Sequence, residues 1–174
     1  LGAGSVRNHA RIASQFLRWC ADEGLIARVP VRTGDVPRAP EPNPRPCTPE
    51  QVRELLNRCR GGHWRDARDY ALITTLLETG LRRAELCAMT VGHALSGVVV
   101  LPGKGGRSVQ AFLSKPCQDA IRRYLRAYRT QTGRVLGEND RLWRARNRAP
   151  LTPSGVLRIL YRRSAGLPEH ISPH

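Results

Sequence analysis

The chain lacks long apolar runs and is poor in acidic residues. No segment approaches the roughly 20 consecutive apolar residues that a membrane-spanning helix requires. The composition, 40% hydrophobic and 25% charged residues, is typical of a globular domain rather than of a disordered chain. These features predict a soluble protein that does not insert into a membrane. Because no leader segment precedes the first helix and residue 1 is leucine, we expect the chain to be part of a longer protein.

Cysteine pairs and metal-ligand spacings are also missing. The five cysteines are widely separated, never form a C-x-x-C pair and are odd in number, which is untypical of a disulfide framework. They predict free thiols in a reducing cytoplasm. The five histidines show no ligand spacing with these cysteines, so we expect no structural zinc, no other metal and no cofactor.

Basic residues outnumber acidic residues two to one. The 29 Lys and Arg residues against 14 Asp and Glu residues give a formal net charge of +15. Such a charge opposes folding by self-repulsion unless a polyanion neutralises it, and nucleic acid is the natural candidate. Only Lys104 and Lys115 are lysines, and the planar guanidinium of arginine suits bidentate phosphate contacts. A coding bias explains much of the excess of arginine over lysine, but it does not explain the net charge.

Prolines are concentrated in one segment of the chain. Residues 30–46 contain six prolines, which exclude a helix or a central strand and favour an extended linker. Residues 1–29 carry an amphipathic helix that Ser5 can cap and Gly24 can end. Its expected apolar face consists of Val6, Ala10, Ala13, Phe16, Leu17 and Cys20. Because one helix cannot bury such a face by itself, we interpret residues 1–29 as the remnant of a helical domain and residues 47–174 as the main domain.

The main domain shows helical spacing on both sides of a β-hairpin. Thr48, Pro49 and Gln51 predict a capped helix that continues towards Gly61. Further helices are expected over about 65–79, ended by Gly80, then near Arg82, after Pro116, and from Thr152-Pro153 to before Gly166. The residues expected to face inward on these later helices are Tyr70, Ile73, Leu76, Leu77, Leu86, Met89, Cys117, Ile121, Tyr124, Leu125, Tyr128, Val156, Leu157, Leu160 and Tyr161. Trp19, Trp64 and Trp143 are interpreted as packing residues.

Residues 98–101 and 108–113 are two short β-prone runs on either side of a glycine-rich turn, which predicts an antiparallel hairpin. In the second run Val109, Ala111 and Leu113 share one side. The predicted fold class is therefore mainly α with a small antiparallel β-sheet, an α+β domain.

Three short motifs occur in a recognisable order. Residues 79–86 read T-G-L-R-R-A-E-L, residues 103–107 read G-K-G-G-R, and residues 170–174 read H-I-S-P-H. Together they resemble the first box, the hairpin tip and the start of the second box of the tyrosine recombinases, the phage integrase family. The resemblance implies an incomplete catalytic domain of that fold over residues 47–174, and more weakly it identifies residues 1–29 as the end of a helical core-binding domain.

The first motif carries a physical argument of its own. Displacement at a DNA phosphodiester spreads negative charge over the non-bridging oxygens, so the site needs preorganised cations aimed at them. Arg82, just after the helix break at Gly80, can provide such a clamp. Glu85 lies one helical turn further on and can hold the guanidinium in place. Arg83 points elsewhere by helical geometry, and we interpret it as a structural residue or a DNA-backbone contact.

The other two motifs supply candidates through the resemblance. It implies that Lys104, on a glycine-flanked turn, protonates the departing 5′-oxygen as general acid. It implies that His174 is a phosphate-contacting or proton-handling residue. Taken alone, Lys104 reads as an ordinary solvated turn lysine, and the first motif favours the catalytic interpretation. The predicted DNA-binding residues are Arg83, Arg107, Arg122, Arg126, Arg144, Arg146 and Arg148, although the arginines of the Pro116 helix fit a solvated face equally well.

The resemblance predicts a site-specific recombinase or integrase whose intact parent cuts and rejoins double-stranded DNA through a 3′-phosphotyrosyl intermediate, as a tetramer on paired sites. In that family the second arginine lies within the second box, after the part that residues 170–174 match, and the nucleophilic tyrosine comes later still. We therefore expect this chain to bind DNA without completing the reaction. Two alternatives stay open. One is a catalytically dead DNA-binding remnant or regulator from a mobile element, and the other is a basic helical protein that binds RNA or another acidic partner.

Overall fold

A computed structural model of the chain describes residues 3–30, 46–102 and 108–167. The chain divides into two compact units, Leu1–Arg45 and Pro46–His174. The described part of the first unit contains helix α1, Ala3–Asp22, followed by Gly24 in a left-handed conformation. The predicted apolar face of this helix is wrong in part, because Val6, Ala13 and Phe16 are exposed. Ser14 and Cys20 are buried, so the covered side of the helix differs from the predicted face.

The second unit contains six helices and a hairpin among its described residues. In chain order they are α2 (Pro49–Asn57), α3 (Trp64–Thr79), α4 (Arg83–Ala88), α5 (Val91–Ser96), β1 (Val98–Pro102), β2 (Ser108–Phe112), α6 (Lys115–Thr132) and α7 (Pro153–Ser164). A mostly helical unit with one two-stranded antiparallel sheet confirms the predicted fold class. The predicted start of α2 is also confirmed, since Thr48 and Gln51 form a reciprocal capping box.

The hairpin has the predicted strands and alternation. Its register pairs Val98 with Phe112 and Pro102 with Ser108. Val99 and Leu101 are buried on β1 while Val100 is exposed, as expected for a sheet with one face on the core. Residues 103–107 of the turn lie outside the described residues.

The core of the second unit forms where α3 packs along α6. Its aromatic centre consists of Trp64, Tyr124, Tyr128 and Trp143, which are all buried. The Trp64 ring meets Tyr128 edge-on at 5.1 Å between centroids, and Tyr124 stacks on Trp143 at 5.9 Å. Trp64 and Trp143 are therefore packing residues as predicted. Trp19 is half exposed and stacks on Phe16 at 5.9 Å between centroids, so it packs outside the core.

Two inward-facing assignments and one boundary differ from the prediction. Leu77 is 50% exposed because the buried side of α3 is centred on Leu72 and Thr75, which lie on the opposite side of the helix. Tyr161 is 44% exposed because the buried stripe of α7 follows Val156, Ile159 and Leu160. Helix α4 ends at Ala88, so Met89 is a buried capping residue rather than a helical one. A separate helix, α5, follows it and was not predicted.

Candidate functional site

The candidate site is the junction between α3 and α4. Gly80 ends α3 in the left-handed conformation, with φ of 61°, and its N–H donates to the carbonyl of Leu76 at 3.0 Å. Glycine suits this position because a side chain would strain a positive φ. Leu81 is buried immediately afterwards and anchors the turn in the core. The chain therefore enters α4 in a defined direction, with Arg82 as the N-cap residue.

Arg82 and Glu85 are in direct contact, as the sequence predicts. The Arg82 Nη1 donates to Glu85 Oε1 at 2.9 Å, and the Arg82 backbone N–H donates to Glu85 Oε2 at 2.8 Å. The Glu85 side chain is only 13% exposed, whereas that of Arg82 is 77% exposed. One carboxylate therefore holds both the backbone and the guanidinium of Arg82, while most of the guanidinium faces solvent.

The charge of Glu85 is stabilised by this arrangement. Burial acts to raise the pKa of its carboxyl, but the hydrogen bonds from the backbone and side chain of Arg82 outweigh burial and lower the pKa below its ordinary value. Glu85 is thus ionised at neutral pH and stays paired with Arg82. An oriented, exposed guanidinium has donors available for the oxygens of a phosphate.

The remaining predicted residues fall into four groups. Lys104, Arg107 and His174 lie outside the described residues. Arg122 forms an ion pair with Asp119 at 3.0 Å, and Arg144 forms one with Asp140 at 3.0 Å with its side chain only 12% exposed. Three predicted DNA contacts have an exposed side chain and no carboxylate partner among the described residues: Arg126, Arg146 and Arg148. Arg83 is half-buried at the start of α4.

The buried tyrosines are structural. The Tyr124 hydroxyl donates to the carbonyl of Leu142 at 3.0 Å and accepts from the N–H of Arg144 at 3.2 Å. Burial raises the pKa of Tyr124, so the phenol stays protonated. Tyr128 is likewise buried. Neither hydroxyl is placed to attack a phosphate of DNA.

Sequence reasoning missed a buried charge cluster between α3 and α7. Asp69 is fully buried; its Oδ1 accepts from Arg68 Nε at 2.9 Å and Nη2 at 2.6 Å. Its Oδ2 accepts from Arg162 Nη2 at 2.7 Å and from Arg163 Nε at 2.9 Å. Arg163 also pairs with Asp66. A carboxylate within the inward stripe of α3 was the available sequence signal, but its partners come from a helix that is about 90 residues further along the chain.

In the part of the chain that the structure describes, no group of three or more His, Cys, Asp or Glu side chains is arranged to hold a metal ion. None of the described helices is long and apolar enough to cross a membrane.

Comparison with known proteins agrees with this geometry. Residues 46–174 match the family model described as the phage integrase family. The tyrosine recombinase XerC of Chromohalobacter salexigens is 27% identical over 177 residues, covering 100% of this chain and 58% of that protein. The chain spans about half the length of the curated relatives it matches.

Solved structures show the same fold at low sequence identity. A lambda integrase dimer bound to a COC′ core site matches with a TM-score of 0.71 and 18% identity, over 97% of this chain and 60% of the other. A lambda integrase tetramer bound to a Holliday junction matches with a TM-score of 0.59 and 20% identity, over 92% and 45%. The family match over most of the chain and the fold agree, and the chain therefore belongs to the phage integrase family of tyrosine recombinases.

Proposed function

We propose that this chain is the DNA-binding part of the catalytic domain of a site-specific recombinase, and that Arg82 contacts the scissile phosphate. The observation that carries the proposal is the exposed Arg82 guanidinium held by the nearly buried carboxylate of Glu85. A cation fixed in advance stabilises the charge that develops on the phosphate oxygens without reorganising during the reaction. Glu85 is then a positioning residue that acts through Arg82.

The other roles follow from the family motifs. Lys104 donates a proton to the departing 5′-oxygen, and His174 contacts the phosphate or handles a proton. The intact protein cuts and rejoins double-stranded DNA through a tyrosyl intermediate and assembles as a tetramer on paired sites, which the fold match to a tetrameric integrase supports. We also propose that it acts in the cytoplasm, a location consistent with five free cysteines.

The test is binding of the folded chain to a labelled random-sequence duplex across a salt series. Arg82→Ala should weaken binding about 10-fold or more, because a hydrogen-bonded contact to a charged group contributes about 1.5–3 kcal/mol. Arg82→Lys keeps the charge but loses the fork, and it should fall between Arg82→Ala and the unmodified chain. Lys104→Ala is measured in parallel.

The matched control is Arg129→Ala, because Arg129 is exposed on α6 and carries the same charge. Arg82→Ala and Arg129→Ala should differ clearly in affinity. Equal losses of duplex affinity in the two variants would overturn the assignment of Arg82 to the scissile phosphate. If circular dichroism shows folded protein and no duplex binding occurs even at low salt, the proposed function itself is overturned.

A further inference from the structure

A large basic cavity lies between the beginning of α3, the loop over residues 145–151 and α7. Its volume is about 1130 Å³. The six arginines that line it are Arg65, Arg68, Arg146, Arg158, Arg162 and Arg163, and Asp66 is the one acidic residue in the lining. None of these residues belongs to the three recombinase motifs, and only Arg146 is among the DNA contacts predicted from the sequence.

The arginines of this cavity differ in how their charges are compensated. Arg68 and Arg163 contact the buried carboxylate of Asp69, and Arg163 also contacts the half-buried carboxylate of Asp66. Arg65, Arg146 and Arg158 have no carboxylate within ion-pair distance among the described residues. The two carboxylates leave four of the six positive charges uncompensated, so the cavity attracts anions.

Arg162 connects the buried carboxylate to the cavity. Its Nη2 donates to Asp69 Oδ2 at 2.7 Å, yet its side chain is 59% exposed. A guanidinium anchored at one nitrogen loses less conformational entropy when its other donors bind a ligand. Asp69 is thus a positioning residue for the wall of the cavity as well as a counter-ion.

The beginning of α7 adds to the positive potential. Thr152 caps this 12-residue helix by accepting from the N–H of Gly155 at 3.1 Å, and both residues line the cavity. The partial positive charge at a helix N-terminus favours anions nearby. This contribution supplements the arginine side chains, which carry most of the charge.

We propose that this cavity binds backbone phosphates of duplex DNA and forms a second phosphate-binding site in addition to Arg82. The inference rests on the proposed function and deepens it. The cavity is larger than the roughly 300–1,000 Å³ pockets that enclose small ligands, and the side chains of Arg146 and Arg158 are exposed at it. Separate exposed cations in a wide cavity suit successive phosphates of a polymer better than a single small anion.

The distance to Arg82 is compatible with one duplex reaching both sites. Arg65 and Gly80 lie at opposite ends of α3, and a helical rise of 1.5 Å per residue puts them about 22 Å apart. At 3.4 Å per base pair this corresponds to roughly six base pairs. A duplex of ordinary binding-site length is therefore long enough for simultaneous contacts.

The experiment compares two triple variants of equal charge. Arg65→Ala, Arg146→Ala and Arg158→Ala together remove the three arginines of the cavity that have no carboxylate partner among the described residues. Arg53→Ala, Arg129→Ala and Arg134→Ala together remove three exposed arginines that do not line it. The binding of both to a labelled 30-base-pair random duplex is measured by fluorescence anisotropy over a salt series, after circular dichroism has shown that each is folded.

The salt dependence of binding is the expected signature. Each lost phosphate contact should reduce the slope of log affinity against log salt by about 0.9, so the cavity variant should lose about 2.7. Between 50 and 200 mM salt, the unmodified chain should then lose roughly 40-fold more affinity than the cavity variant. In the control variant the slope should change by less than half of the value expected for the cavity variant. If a triple variant is not folded, Arg158→Ala against Arg129→Ala gives the same comparison with an expected slope change of about 0.9.

Three other outcomes have distinct meanings. If the unmodified chain binds the duplex and the two triple variants show equal slopes, the second site is overturned while the proposed function stands. If the folded, unmodified chain does not bind duplex at low salt, the proposed function fails. If inorganic phosphate stabilises the unmodified chain but not the cavity variant in a thermal melt, and the triple variants bind duplex equally, the cavity takes free phosphate and the assignment to DNA is overturned.

Discussion

Replacing Asp69 with asparagine would remove one charge from the centre of the cluster between α3 and α7 while keeping the side-chain volume. The carboxylate is fully buried and accepts hydrogen bonds from three arginines, of which Arg68 is itself only 3% exposed. An amide has one acceptor oxygen and no negative charge, so it cannot compensate the positive charge of the buried Arg68 guanidinium. The variant therefore contains an unpaired charge in a region from which water is excluded.

The expected loss of stability follows from this burial. Removing one partner of a buried ion pair costs about 3–5 kcal/mol because the other charge stays desolvated. The loss of the Arg162 contact changes this cost little, because the Arg162 side chain is largely exposed and its guanidinium is hydrated by water instead. Against a typical unfolding free energy of about 5–15 kcal/mol, the loss is a large fraction of the total.

Urea unfolding followed by circular dichroism measures the effect. With a slope of about 2 kcal/mol per molar urea, the midpoint should fall by about 1.5–2.5 M. Asp119→Asn is the matched control, because Asp119 also contacts two cations, Lys115 and Arg122, but is exposed on α6. Its midpoint should change little, since exposed ion pairs are screened by solvent. Equal midpoints for the two variants would show that Asp69 is not a buried counter-ion and would refute the reasoning.

Three further predictions concern the same unit. Gly80→Ala should lower the free energy of unfolding by about 1–2 kcal/mol, because it places a side chain at a positive φ. Gly62→Ala is the control, because neither glycine has an atom within 4 Å of the added side chain and Gly62 has no positive φ. The urea midpoint of Gly62→Ala should hardly change. Tyr124→Phe should cost about 1–3 kcal/mol by leaving two buried backbone groups without their hydrogen-bond partner, and a thermal melt that matches the unmodified chain would contradict this. The pKa values of Asp66 and Glu85 are lowered in the folded state, so the unfolded state takes up protons first as the pH falls. The urea midpoint should therefore be constant above about pH 5 and decrease below about pH 4. A midpoint that stays constant down to about pH 3 would contradict the ion pairs of these two carboxylates.

The sequence by itself determined the features that depend on near neighbours. The start of α2 follows from Thr48 and Gln51, and the end of α3 follows from Gly80, because caps and left-handed turns involve residues within four positions of each other. The Arg82–Glu85 contact is local in the same sense, and only five residues separate the two hairpin strands. The family motifs were equally legible because they are short and contiguous.

Only the tertiary structure decided which side of each helix is covered and which distant charges meet. Leu77 and Tyr161 have the spacing of inward residues, but the packing of α3 and α7 directs the buried stripes elsewhere. The contacts of Asp69 with Arg162 and Arg163 join positions more than 90 residues apart, and the arginine cavity exists because α7 folds back against the beginning of α3. Such contacts depend on how elements pack in three dimensions, and hydrophobic periodicity along one element carries no information about the partner that will cover it.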